Sequence, residues 1–179
     1  MRAVNPRTRL VLVGDGPLAA ALRVCLPEAV FCGMRTGEDL AAHYASADIF
    51  LFLSLTETFG NVTLEAMASG LAVVAFDYAA AHCVIKHHHN GLLVPFRDAA
   101  VFIASARQLS GDPDKIRSLG REARRAARVF AWERIYDELE TVLMELIDSR
   151  RVDEPLLLPG ALAAPGGAGT GKVPLTQDL

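Results

Sequence analysis

Between residues 10 and 94, short apolar runs alternate with longer stretches whose apolar positions recur at helical spacing. Five runs, 10–13, 30–32, 49–53, 72–76 and 92–94, are rich in β-branched or aromatic residues and almost free of polar ones. Such continuous runs predict strands covered on both faces, as in a parallel sheet with crossover helices. The helices predicted between them cover 18–26, 38–45 and 61–69, with a turn near 82–85; Gly70 stands where a helix ends in a left-handed residue. This alternation predicts an α/β chain with a doubly wound parallel sheet of about five strands.

After Pro95 the pattern is helical only, over 99–109, 113–129 and 132–147. Asp112 before Pro113 reads as an N-cap followed by proline in the first helical position. Trp132, Ile135, Tyr136, Leu139, Val142, Leu143, Leu146 and Ile147 make one apolar stripe, which is expected to cover apolar surface. Beyond Arg150 periodicity stops and Pro, Gly and Ala accumulate. The expected organisation is therefore a domain over 1–150 and a flexible tail over 151–179.

Of the 179 residues, 51% are hydrophobic and 22% charged, a globular balance that excludes wholesale disorder. The net charge of −3 argues against nucleic acid as a partner. Cys25, Cys32 and Cys83 form no C-x-x-C pair, and an odd, sparse count fits reduced thiols in the cytoplasm. The apolar run after Arg9 is too short for a secretory signal. Residues 155–171 are uncharged, but prolines and glycines break them up, so no membrane span is expected.

The most informative segment is 56–70. It follows the strand at 49–53 and opens a helix at Gly60 or Asn61, which puts the loop at the C-terminal edge of the sheet, where open α/β folds bind ligands. Gly60 admits a ligand close to the backbone. The first amides of the helix, those of Asn61, Val62 and Thr63, favour a phosphate or diphosphate. Glu57 and Glu65 flank that position. Glu65 suits a ribose diol and Glu57 the hydroxyls of a sugar on the other side of a diphosphate. The plain alternative is a solvated loop acid and a helix carboxylate near a positive dipole end.

Glu57 and Glu65 with Phe59-Gly60-Asn61 resemble the E-x7-E segment of the family 4 glycosyltransferases. Residues 12–17 (Leu-Val-Gly-Asp-Gly-Pro), 31–33 (Phe-Cys-Gly), 44–48 (Tyr-Ala-Ser-Ala-Asp), 65–70 (Glu-Ala-Met-Ala-Ser-Gly) and 90–95 (Asn-Gly-Leu-Leu-Val-Pro) resemble that family in the same order, over roughly 9–147. The resemblance implies a Rossmann-like, donor-binding domain of the glycosyltransferase-B fold, without a cofactor or metal, in a retaining enzyme that moves a hexosyl group from a nucleoside diphosphate sugar to an acceptor. It implies Glu57 as the residue positioning the transferred sugar, with Phe59, Gly60, Asn61 and Val62 at the diphosphate and Glu65 at the ribose. Gly14, Met34 and Arg35 would complete the donor site, the last two near the base.

In the family, a strand and helix with an Arg and a Lys at the diphosphate precede these motifs, and an acceptor domain precedes them in turn; residues 1–8 match neither. The expectation is a truncated donor domain, inactive alone, with the strands at 10–13 and 49–53 lacking the neighbour between them. A glycan or lipid acceptor would bind through the other domain. Half of a split enzyme, or a non-catalytic nucleotide-binding module, is the alternative. Ala80-Ala81-His82-Cys83 also departs from the family's Gly-rich loop ending in Glu.

Other patterns carry less. Residues 14–19 fit G-x-G-x-x-A, but Met34 and Arg35 stand where a dinucleotide site wants an acid. Residues 166–172 approach a P-loop, yet Val173 replaces its Ser or Thr. His87-His88-His89 reads as a solvated turn before Asn90-Gly91, and His43 as a helix-surface residue. Arg117, Arg121, Arg124, Arg125 and Arg128 share one helix face, read as solvated, with peripheral contact at the inner face of an anionic membrane as the alternative.

Overall fold

A computed structural model describes Met1, residues 3–57 and residues 60–149. The apolar runs become five strands, β1 (Val11–Val13), β2 (Val30–Gly33), β3 (Ile49–Phe52), β4 (Ala72–Phe76) and β5 (Leu92–Val94). The intervening helices are α1 (Ala19–Cys25), α2 (Gly37–Ala45), α3 (Asn61–Ala68) and α4 (Ala79–Val84). Then follow α5 (Ala99–Ser110), α6 (Pro113–Ala127), a 3-10 turn (Arg128–Phe130) and α7 (Trp132–Ser149). Met1–Glu138 form one compact unit, and a second begins at Leu139.

All strand pairs are parallel, but they form two sheets. β1 pairs with β2, and β3, β4 and β5 pair in that order. The sheet is interrupted between β1 and β3, the two strands expected to lack a common neighbour. β4 is buried at every position, because β3 and β5 flank it and helices cover both its faces. On one face Val73 and Ala75 meet Ala66 and Met67 of α3, Ala81 and Val84 of α4 and Ala123 of α6, with Phe50 and Phe52 at the margin. On the other, Val74, Phe76, Leu92 and Val94 meet Phe102 and Leu109 of α5 and Leu119 of α6.

Two local features tighten this core. Asp112 caps α6 by accepting from the Lys115 amide at 2.9 Å, with Pro113 in the first turn. Where α6 crosses the end of α3, a Cβ on Gly120 would stand 2.1 Å from the Gly70 carbonyl oxygen, and Gly70 has φ +83°. Only glycine permits that approach.

Three expectations are corrected. The turn near 82–85 is a helix that begins at Ala79 and ends at Val84, held by Ala80, Ala81 and Val84 in the core. The helix over 113–129 ends at Ala127 and tightens into the 3-10 turn. The stripe on α7 is not covered: no residue of that helix is buried, and Trp132 is 63% exposed. The tail at 151–179, with the P-loop-like stretch, lies outside the described residues.

Candidate functional site

β3 delivers the chain to its C-terminal edge, and the loop after it turns into α3 through Gly60, which has φ +69° and ψ +63°. That left-handed conformation and the space around it both exclude a side chain: a Cβ at Gly60 would stand 2.8 Å from Glu57 Cγ and 3.3 Å from Glu57 Oε1. Glu57, half-buried, thus lays its carboxyl against the start of α3. No side chain caps this helix, whereas Asp98 and Asp112 cap α5 and α6. Among the described residues the Asn61 amide has no backbone acceptor, and the positive end of the α3 dipole favours an anion there. Thr63 was expected to offer a third amide; it donates instead to the Gly60 carbonyl at 3.1 Å. Its hydroxyl is buried without a partner among the described residues.

One turn further, Glu65 is exposed on α3. Tyr44, on α2, has Glu65 as its neighbouring charge, and its ring packs edge-on against Phe50 with centroids 5.8 Å apart. Burial of the ring, and then interaction with Glu65, push the phenol up to about 12. Sequence reasoning missed this contact, because nothing in a run of helical residues says which carboxylate on another helix a tyrosine will reach.

Gly14, Met34 and Arg35 lie at the ends of β1 and β2. The Gly14 amide donates to the Gly33 carbonyl at 2.8 Å, which ties the two turns together. Met34 is 69% exposed. Arg35 is engaged by its own neighbours: Nε donates to the Cys32 carbonyl at 2.9 Å and Nη1 pairs with Asp39 at 3.0 Å. The structure therefore forms two clusters at strand C-termini, Gly14 with 33–35 and Glu57 with 60–65, on the two separate sheets. Phe59 lies outside the described residues.

At the end of β4, where the 80–83 stretch departs from the family pattern, His82 Nδ1 and Asp77 Oδ1 are 2.6 Å apart, and Tyr78 stacks on Phe96 with centroids 4.6 Å apart. His87 accepts from the Leu93 amide at 3.0 Å, and burial keeps its imidazole below the ordinary value, aided by His88 and opposed by Asp77. Among the described residues no group of three His, Cys, Asp or Glu side chains is arranged to hold a metal ion. The three cysteines are free thiols. No described helix is long and apolar enough to cross a membrane.

Residues 1–112 match a family model described as glycosyl transferases group 1. A GDP-mannose-dependent alpha-mannosyltransferase of Mycobacterium tuberculosis is 38% identical over 144 residues, a match to 76% of this chain and 36% of that protein. A D-inositol 3-phosphate glycosyltransferase of Salinispora tropica is 35% identical over 134 residues, 75% of this chain and 28% of that one. The chain thus spans about a third of the length of these relatives. Among solved structures, sucrose-phosphate synthase of Thermosynechococcus elongatus superposes with a TM-score of 0.70 at 28% identity, over 82% of this chain and 40% of that one. With its parallel α/β architecture and these matches, the chain belongs to the group 1 glycosyltransferases, of the glycosyltransferase-B fold.

Proposed function

We propose that the chain is the donor-binding part of a retaining hexosyltransferase, whose acceptor, a glycan or lipid, is held by a further domain. The observation that carries this reading is the uncapped start of α3 at Gly60, with Glu57 laid against it and Glu65 one turn on. Amides at a helix N-terminus suit a diphosphate, and a carboxylate accepts from a ribose diol. When the bond between the sugar and the diphosphate breaks, negative charge grows on the diphosphate, and fixed amides favour that state over the bound substrate. Glu57 orients the transferred sugar, Gly60, Asn61 and Val62 hold the diphosphate, and Glu65 the ribose. Met34 sits beside the base, while Arg35 reaches it only by leaving Asp39. The chemistry needs no metal at this position, because the helix end supplies the positive potential.

The mannosyltransferase named above favours GDP-mannose as donor, with a UDP-hexose as the alternative. Free thiols fit a cytoplasmic setting. The chain alone is expected to bind donor without transferring sugar. Calorimetric titration with GDP-mannose and UDP-glucose tests the reading. Binding of one of them, weakened at least tenfold by Glu65→Ala and by Gly60→Ala, supports it. A clear affinity that neither substitution changes overturns the ribose and diphosphate assignments, and turnover by the unextended chain overturns the need for a second domain.

A further inference from the structure

β4 and β5 run side by side to the C-terminal edge of their sheet, and an aromatic residue follows each, Tyr78 after β4 and Phe96 after β5. The two rings stack with centroids 4.6 Å apart and planes 27° from parallel. The contact continues inward: Phe96 meets Phe76 edge-on at 6.1 Å, and Phe76 lies against the buried Phe102 of α5 at 5.3 Å. A row of rings reaching the core therefore fixes the outer pair, yet Tyr78 stays 39% exposed and Phe96 38%. The backbone bends to keep them there. Among the described residues three other than glycine have positive φ, and two of them follow these rings directly, Ala79 at +48° and Arg97 at +66°. Such conformations are costly for a residue with a side chain and cluster at functional sites.

Polar groups adjoin the rings along the chain. Asp77 precedes Tyr78, and its Oδ1 stands 2.6 Å from Nδ1 of His82, with both side chains exposed. That pairing fixes the imidazole and leaves His82 Nε2 and Asp77 Oδ2 for other partners. Arg97 carries its guanidinium over the Phe96 ring, 5.3 Å from the centroid. A flat apolar ring in the company of a carboxylate, an imidazole and a guanidinium matches the chemistry of a pyranose, which has a face of C–H groups and a rim of hydroxyls that both donate and accept. A lipid chain would leave the three polar groups without partners.

We propose that Tyr78 and Phe96 form a platform for a pyranose of a glycan acceptor, with Asp77, His82 and Arg97 meeting its hydroxyls. The C–H face of the sugar lies on the Tyr78 ring. Asp77 Oδ2 and His82 Nε2 accept from hydroxyl groups, and the Arg97 guanidinium donates to them. Because the rings are already held, little ordering is spent on binding. The platform spans the ends of β4 and β5, on the side of β4 away from β3 and its Glu57 loop, so it shares an edge with the candidate donor site without overlapping it. That the saccharide is an acceptor rests on the donor reading above; the affinity of the platform for a pyranoside does not.

Saturation-transfer NMR and calorimetry on the full chain test it, with methyl α-D-mannopyranoside and an α-linked mannobiose as probes. Saturating the aromatic protons of the protein is expected to reach the C–H protons of the sugar. Tyr78→Ala is expected to weaken binding about tenfold, while Tyr78→Phe, which keeps the ring, retains it. GDP-mannose at saturation is expected to leave the glycoside bound. Absence of transfer to both probes overturns the proposal, as does binding that Tyr78→Ala leaves intact. Displacement of the glycoside by GDP-mannose puts it in the position of the donor's own hexose and overturns the separate site. Binding of the glycoside through Tyr78 where GDP-mannose does not bind overturns the donor reading and leaves the platform standing.

Discussion

The β1–β2 pair and the β3–β5 sheet are built on one plan, parallel strands joined by helices, yet only the second is a core. Every residue of β4 is buried, whereas none of β1 or β2 is, and among the described residues the first buried one is Thr63. The strands themselves do not explain the difference, since Val11-Leu12-Val13 is as apolar as Ala72–Phe76. Neighbours do. β4 has a strand on each side and helices on both faces, while β1 has one strand beside it. An apolar run states a demand for burial, and only the surrounding elements meet it. Stabilisation follows area removed from water, about 25 cal/mol per Å², so the two regions are expected to answer very differently to the same substitution.

The largest effect is expected where the core tolerates no atom at all. Gly120→Ala drives a Cβ into the Gly70 carbonyl and costs about 3 kcal/mol, the upper end for overpacking, measured as a fall in urea unfolding free energy. Met67→Ala, in the same core, empties a site that is 0% exposed and costs about 3 kcal/mol. Val11→Ala, in the open pair, is expected to cost under about 0.5 kcal/mol. Equal losses for Met67→Ala and Val11→Ala would abolish the contrast.

Two titrations probe its margins. Tyr44 stands where α2 meets the better-packed region, and its phenol is raised from 10.0 to about 12. A raised value favours the protonated folded form, so this contribution is complete below pH 10 and is lost as pH rises towards 12. Ultraviolet difference titration of tyrosine should find the highest midpoint near that value, and Glu65→Gln should bring it down. His87 is lowered from 6.5, so the unfolded chain binds the proton more readily. Its contribution is present above pH 6.5 and is lost as pH falls through the folded value. His87→Gln should flatten the fall in unfolding midpoint between pH 7 and 5; an unchanged slope would remove His87 from the account.

The candidate site was legible to the extent that its chemistry is local. The glycine at the entry to α3, the amide at its start and the spacing of Glu57 and Glu65 all lie within a few residues. The contact of Glu57 with Gly60 and the reach of Tyr44 to Glu65 were not legible, because they depend on a loop conformation and on the packing of two helices. Arg35 shows the same limit: its place after β2 follows from the strand pattern, but its engagement with Cys32 and Asp39 does not.

The order of strands and helices, the Asp112 cap and the turn into α3 followed from residues close in sequence, where backbone propensity and hydrogen-bonding chemistry act over one or two turns. The family resemblance already implied the gap between β1 and β3; tertiary structure alone decided that α6 passes α3 at Gly120 and Gly70, and that the apolar face of α7 stays exposed. Periodicity records which side chains avoid water; which surfaces exclude it depends on contacts between elements far apart in the chain.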